Sequence, residues 1–108
     1  MFRSMAWVYL IIAGLLEIGW AVGLKTSQGF SRLWPSVLTI VLMILSFVLL
    51  GRAVRSIPLG TAYAAWTGIG AVGTAIVGMA AFGESREVTR IVCIVLIVAG
   101  VVGLKWAK

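Results

Sequence analysis

Apolar residues run along this chain in four long blocks, at about 5–24, 33–50, 59–82 and 88–107, and most ionisable side chains fall between or at the ends of them. Within the blocks the polar positions do not recur at a helical period, as they do in the surface helix of a soluble domain. Apolar stretches of ~20 residues match the length of a helix that crosses a bilayer. The pattern predicts an all-α membrane protein in which a single domain of four transmembrane helices accounts for the chain. The connectors carry turn signals. Thr26-Ser27-Gln28-Gly29 is a polar turn ending in glycine. Pro35 falls in the first turn of the second block, where its missing N–H costs nothing. Residues 51–58 form a short loop with Arg52 and Arg55, and Gly83-Glu84-Ser85-Arg86-Glu87 is a charged turn. The fourth block has the shortest uninterrupted apolar core, 91–104, with Arg90 and Lys105 reaching outward from its ends. Arg3 ahead of the first block resembles the start of a signal peptide. The block's length, its Glu17 and the three blocks that follow mark it instead as a retained span.

Composition sharpens this picture. Of 108 residues, 62% are hydrophobic and 11% charged, against ~25% charged in a soluble domain. The net charge of +6 does not point to nucleic acid. The nine Lys and Arg residues stand singly or in pairs at block ends, as interfacial anchors do, and form no basic stripe. Cys93 is the lone cysteine and lies in an apolar run, so no disulfide framework exists. There is no histidine and no cluster of cysteines or carboxylates at metal-ligand spacing. No cofactor, no metal and no enzymatic activity are expected.

Four spans place both termini on one side of the membrane. That side carries Arg3, Arg52, Arg55, Lys105 and Lys108, five in all, and the other carries Lys25, Arg32, Arg86 and Arg90, four in all. Orientation follows an excess of positive charge on the cytoplasmic side. Here the count is nearly tied, and fully so if Lys105 is assigned to the helix. The expectation is insertion in both orientations.

Glu17 is the sharpest chemical feature. It lies beyond the middle of the first span, where an unpaired charge costs ~2.5–3.5 kcal/mol even on insertion scales. Glu84 and Glu87 lie in a loop and can be solvated. Lipid penalises the bare carboxylate and a bound cation stabilises it, so one group holds either a proton or a cation. That competition is the minimal physics of a proton-coupled cation exporter; the plainer alternative is a protonated acid that glues helices together. Ala13, Gly14, Trp20 and Ala21 share the face of Glu17. The small residues leave room for another helix or a ligand, and the Trp20 indole offers an N–H. In the third span Tyr63 and Trp66 share one face, and aromatic faces attract cations by ~0.5–2 kcal/mol. Both also fit as core aromatics. Ser46 is a hydroxyl among apolar residues, either a site residue or bonded back to its own helix. Gly68, Gly70, Gly73 and Gly78 thin the third span. They permit a hinge at Gly68 and Gly70 that exposes the site to either side, or a packing groove. Gly100 in the fourth span fits a helix-dimerisation surface. One chain has a single intramembrane acid and little room for a sealed cavity. Two oppositely inserted chains would build an inverted-repeat architecture around two Glu17 side chains.

The sequence resembles the small multidrug resistance family over essentially its whole length. The resemblance rests on Ala13-Gly14-Leu15-Leu16-Glu17, on Gly29-Phe30-Ser31-Arg32-Leu33-Trp34-Pro35-Ser36, and on the run from Ile57-Pro58-Leu59-Gly60 through Tyr63 and Trp66 to Gly70. It implies an antiparallel, dual-topology homodimer of four-helix subunits, multi-pass in the bacterial inner membrane, that exchanges protons for cations at Glu17. Glu17-Ile18-Gly19-Trp20-Ala21, Ser46, Trp66-Thr67-Gly68-Ile69-Gly70-Ala71 and Gly103-Leu104-Lys105 look like the guanidinium-exporter branch. In that branch the residues matching Trp20 and Ser46 hydrogen-bond the glutamate. The one matching Tyr63 lies at the site, Trp66 packs near it, and the lysine matching Lys105 is a branch marker. The chemistry agrees independently, because a carboxylate accepts two in-plane N–H groups of guanidinium side by side. The expected function is proton-coupled export of guanidinium and related small cations. The rival readings are an exporter of quaternary ammonium ions, a non-transporting membrane subunit and a passive cation channel.

Overall fold

The computed structural model describes residues 2–106, with side chains from Met5 onward. The side chain of Arg3, Ala107 at the end of the fourth span, and Lys108 lie outside the described residues. Four helices follow one another: α1 (Phe2–Thr26), α2 (Leu33–Ala53), α3 (Leu59–Ala81) and α4 (Val88–Trp106). All four are long and apolar enough to cross a membrane, and no strand occurs among the described residues.

The helix ends differ from the sequence reading where local hydrogen bonds extend a turn. Arg52 was expected in a loop starting at Gly51 but lies in the last turn of α2. The helix continues because the Val54 N–H reaches the Leu50 carbonyl at 3.0 Å, and the Ile57 N–H reaches that of Ala53 at 3.0 Å. Pro58, which has no N–H to donate, then marks the break before α3. Similarly, Thr26 belongs to α1 rather than to the turn. Buried Ser27 organises the reversal that follows: its hydroxyl donates to the Leu24 carbonyl at 2.9 Å and accepts from the Phe30 N–H at 3.0 Å. The reversal is tight, with left-handed backbone at Gln28, Gly29 and Phe30. Gly83, at φ +67, ends the α3 segment, and the Glu84 N–H returns to the Gly78 carbonyl. Lys105 lies within the last turn of α4.

The packing order is set by where small residues let backbones approach. α1 packs against both α2 and α3, the α2 and α3 backbones come close at few points and these two helices meet mainly through side chains, and the α4 backbone approaches α3 alone. The order across the molecule is therefore α2, α1, α3, α4. The described chain is a flattened slab of 41 × 35 × 17 Å. Its apolar core fills one end: Ala6, Trp7, Leu10 and Ala13 of α1 meet Ala53 and Ile57, and Ala62, Ala65 and Trp66 of α3. No residue of α4 is buried. Glu17 lies on α1 one turn beyond this core.

Candidate substrate and proton site

Glu17 projects from α1 onto α3, and the reason it fits there is Gly70. A Cβ on Gly70 would collide with the Glu17 carboxyl group, and one on Gly73 would collide with Ile18. On the other side, a Cβ on Gly14 would come within 2.8 Å of the Ile69 Cβ. The two helices thus interlock through small residues, and the acid rests on bare α3 backbone. Its Oε1 is buried and accepts no hydrogen bond, and one turn along α1 the Trp20 Nε1 is buried and donates none. An acceptor and a donor are therefore left unsatisfied on the same helix face. Buried polar groups are nearly always paired, so these two atoms stand out among the described residues.

An aromatic wall leads away from the acid. Trp20 stands 6.4 Å from Phe47, Phe47 5.5 Å from Trp66, and Trp66 5.6 Å from Tyr63, measured between ring centroids and all tilted by 51–53°. The wall takes one residue from α1, one from α2 and two from α3. Trp66 is buried, whereas Tyr63 is exposed at the far end.

Ser46 is fully buried and does not bond Glu17. Its hydroxyl donates to the Ala13 carbonyl at 2.7 Å and accepts from the Trp66 Nε1–H at 2.9 Å. This corrects the hydrogen bonds that the family resemblance implies, since neither Ser46 nor Trp20 is bonded to the acid. The physical reason is position. Ser46 lies level with Ala13, one helical turn before Glu17, and the Trp66 indole occupies it from the other side. The resulting chain of bonds crosses three helices, and it ends on the carbonyl that receives the Glu17 amide N–H in a regular helix.

Gly68 and Gly70, expected as a hinge, lie in an unbroken α3, with Gly68 against Val101 of α4. Gly100 lies on the open side of α4, with nothing within 4 Å of where its Cβ would be. The Lys105 ammonium lies 5.9 Å from the Trp7 ring and 5.5 Å from that of Trp106. Trp7 is ten residues before Glu17, roughly 15 Å along the helix at the usual rise, so Lys105 is remote from the acid. Phe47 was not anticipated. Its only signal in the sequence is adjacency to Ser46, in a helix with many large apolar residues. No group of acidic, cysteine or histidine side chains that could hold a metal occurs among the described residues.

The model of the Small Multidrug Resistance protein family matches residues 5–97. The chain belongs to the small multidrug resistance family. Among the similar proteins of this family is one named guanidinium exporter from Yersinia pseudotuberculosis, 60% identical over 104 residues, covering 96% of this chain and all of that one. Another of the same name, from Escherichia coli strain K12, is 58% identical over 101 residues, with 94% and 96% covered. A third, from Salmonella typhimurium, is 57% identical over 101 residues. As a small multidrug resistance protein the chain is a multi-pass membrane protein, and its four helices account for most of the described residues.

Proposed function

We propose that this protein is a proton-coupled exporter of guanidinium and related small guanidinyl cations in the bacterial inner membrane, working as an antiparallel homodimer. The observation that carries the proposal is the pair of unsatisfied buried atoms, Glu17 Oε1 and Trp20 Nε1, at the head of an aromatic wall. A planar cation with in-plane donors would satisfy the carboxylate edge-on while its face meets the aromatic wall at its Trp20 end. The proteins named guanidinium exporter, similar over nearly the whole chain, support the same cargo.

Coupling follows from exclusivity. A carboxyl in this setting is neutralised by a proton or by the cation, and each expels the other. Alternating access requires the site to open to either side, and the hinge we assign to it is at Gly68 and Gly70, of which Gly70 packs against the acid. The thin slab and the unburied α4 favour a second chain. Gly100, with nothing within 4 Å of where its Cβ would be, is a point where two α4 helices can approach closely, and the nearly tied charge count favours opposite insertion of the two.

The test is solid-supported-membrane electrophysiology on reconstituted protein. Guanidinium should evoke transport current driven by a proton gradient, tetraalkylammonium ions of larger bulk much less, and Glu17→Gln should abolish both. Equal currents from the two ion classes would point to a multidrug exporter. Full activity of Glu17→Gln would end the reading, and a flux that a proton gradient cannot drive uphill would make the protein a channel.

A further inference from the structure

The end of the molecule opposite the charged α3–α4 turn has a composition of its own. It carries Arg52 and Arg55 but no acidic side chain, because Glu17 lies within a span and Glu84 and Glu87 lie in the other end's loop. At that other end Glu84 accepts from Arg90 at 2.5 Å, and the Arg86 guanidinium donates to the Met79 carbonyl at 3.0 Å. Arg52 and Arg55 have no such partner among the described residues. Three residues apart, in the last turn of α2 and the turn after it, they project on one side. Between them and the start of α1 lies a cleft of about 290 Å³. Its walls are Arg52, Arg55 and Ser56 on one side and Met5, Ala6 and Tyr9 on the other.

We propose that this cleft binds the phosphate of an anionic phospholipid between Arg52 and Arg55. The chemistry of the walls selects that ligand. Guanidinium forks pair with phosphate oxygens two at a time, and the Ser56 and Tyr9 hydroxyls supply further donors. The cleft lies where α2 ends, at the level of the headgroups, and basic pockets between helices at this depth are headgroup sites. A free anion would use only the polar half. The Met5 wall continues into the membrane-spanning surface of α1, where exposed Val8 and Ile12, on the same helix face, provide an apolar track for acyl chains. Two opposite insertions would put one such site in each leaflet.

The experiment is native mass spectrometry of the purified protein in detergent, titrated with phosphatidylglycerol or with phosphatidylcholine of the same acyl chains. The proposal expects phosphatidylglycerol to be retained at least about tenfold more tightly, and tens of millimolar inorganic phosphate not to displace it. Arg52→Gln/Arg55→Gln should remove the preference, whereas Arg32→Gln/Arg86→Gln, with the same loss of charge at the other end, should keep it. Equal retention of the two lipids by the wild type overturns the proposal without any variant. So does a matching loss in the control pair, which would make the effect one of net charge. Displacement by inorganic phosphate would make the cleft a soluble-anion site and likewise refute it. If Glu84→Gln/Glu87→Gln raises phosphatidylglycerol binding as much as the arginine pair lowers it, the two arginines are held by a partner chain's carboxylates and the lipid assignment fails.

Discussion

A carboxyl group with one oxygen sealed against Gly70 and nothing to accept from is sensitive to small changes of volume. Gly70→Ala should fold, because the colliding atoms belong to the far end of the Glu17 side chain and can swing away. The swing moves the acid off its rest, so guanidinium affinity should drop by an order of magnitude or more in a tryptophan-fluorescence titration, while thermal stability changes little. Acid pH should act on the same group. Under the proposed exclusion of proton and cation on Glu17, apparent guanidinium affinity should weaken as pH falls, at most about tenfold per pH unit for one competing proton. A titration at several pH values tests this, and a pH-independent affinity would contradict it. The acid itself was legible in the sequence because a charge among apolar residues stands out whatever its neighbours are. Its contacts were not. Nothing in the residue order says that the oxygen rests on Gly70, or that Trp20 keeps an unused N–H, because both depend on how far α1 is rotated against α3.

Among the helices, the bond chain from Trp66 through Ser46 to the Ala13 carbonyl is the feature with the clearest energetic signature. Ser46→Ala strands a buried indole N–H and costs about 1–3 kcal/mol, the usual penalty for an orphaned buried donor. Trp66→Phe in the same background should add little beyond its lost packing, so the two changes should be strongly non-additive in a double-mutant cycle read by unfolding in lipid or detergent. Additive effects would mean that the bond contributes nothing. The spans themselves were readable because length and hydropathy suffice for a helix in lipid. Their ends were read a turn short where Arg52 and Thr26 looked like loop residues, since a charged or hydroxyl side chain ends an apolar run without ending a helix. Ser46 drew attention as a lone hydroxyl. Its partners were misassigned because an apolar helix presents no polar face from which its rotation can be read, and Phe47 was overlooked for the same reason.

At the scale of the molecule, the unburied α4 is the face that the proposed second chain would cover. Gly100→Leu should lower the dimer fraction counted by single-molecule photobleaching in large liposomes, with helix content unchanged by circular dichroism. A C-terminal tag should be found on both faces of the membrane in one preparation. Exclusive labelling from one face would remove the dual insertion and with it the antiparallel pairing. Dual insertion remains a proposal that rests on the nearly even split of arginines and lysines, whereas the order α2, α1, α3, α4 was not legible in the sequence at all, because lateral neighbours are chosen by shape. The last place in that order has a mechanical consequence. Since α4 is fastened to α3 and to no other backbone, it swings wherever α3 swings. In the proposed dimer, two chains joined through α4 would behave like a pair of levers on a common axle. One closing on its side of the bilayer would drag the other open, so neither chain would change its aperture alone.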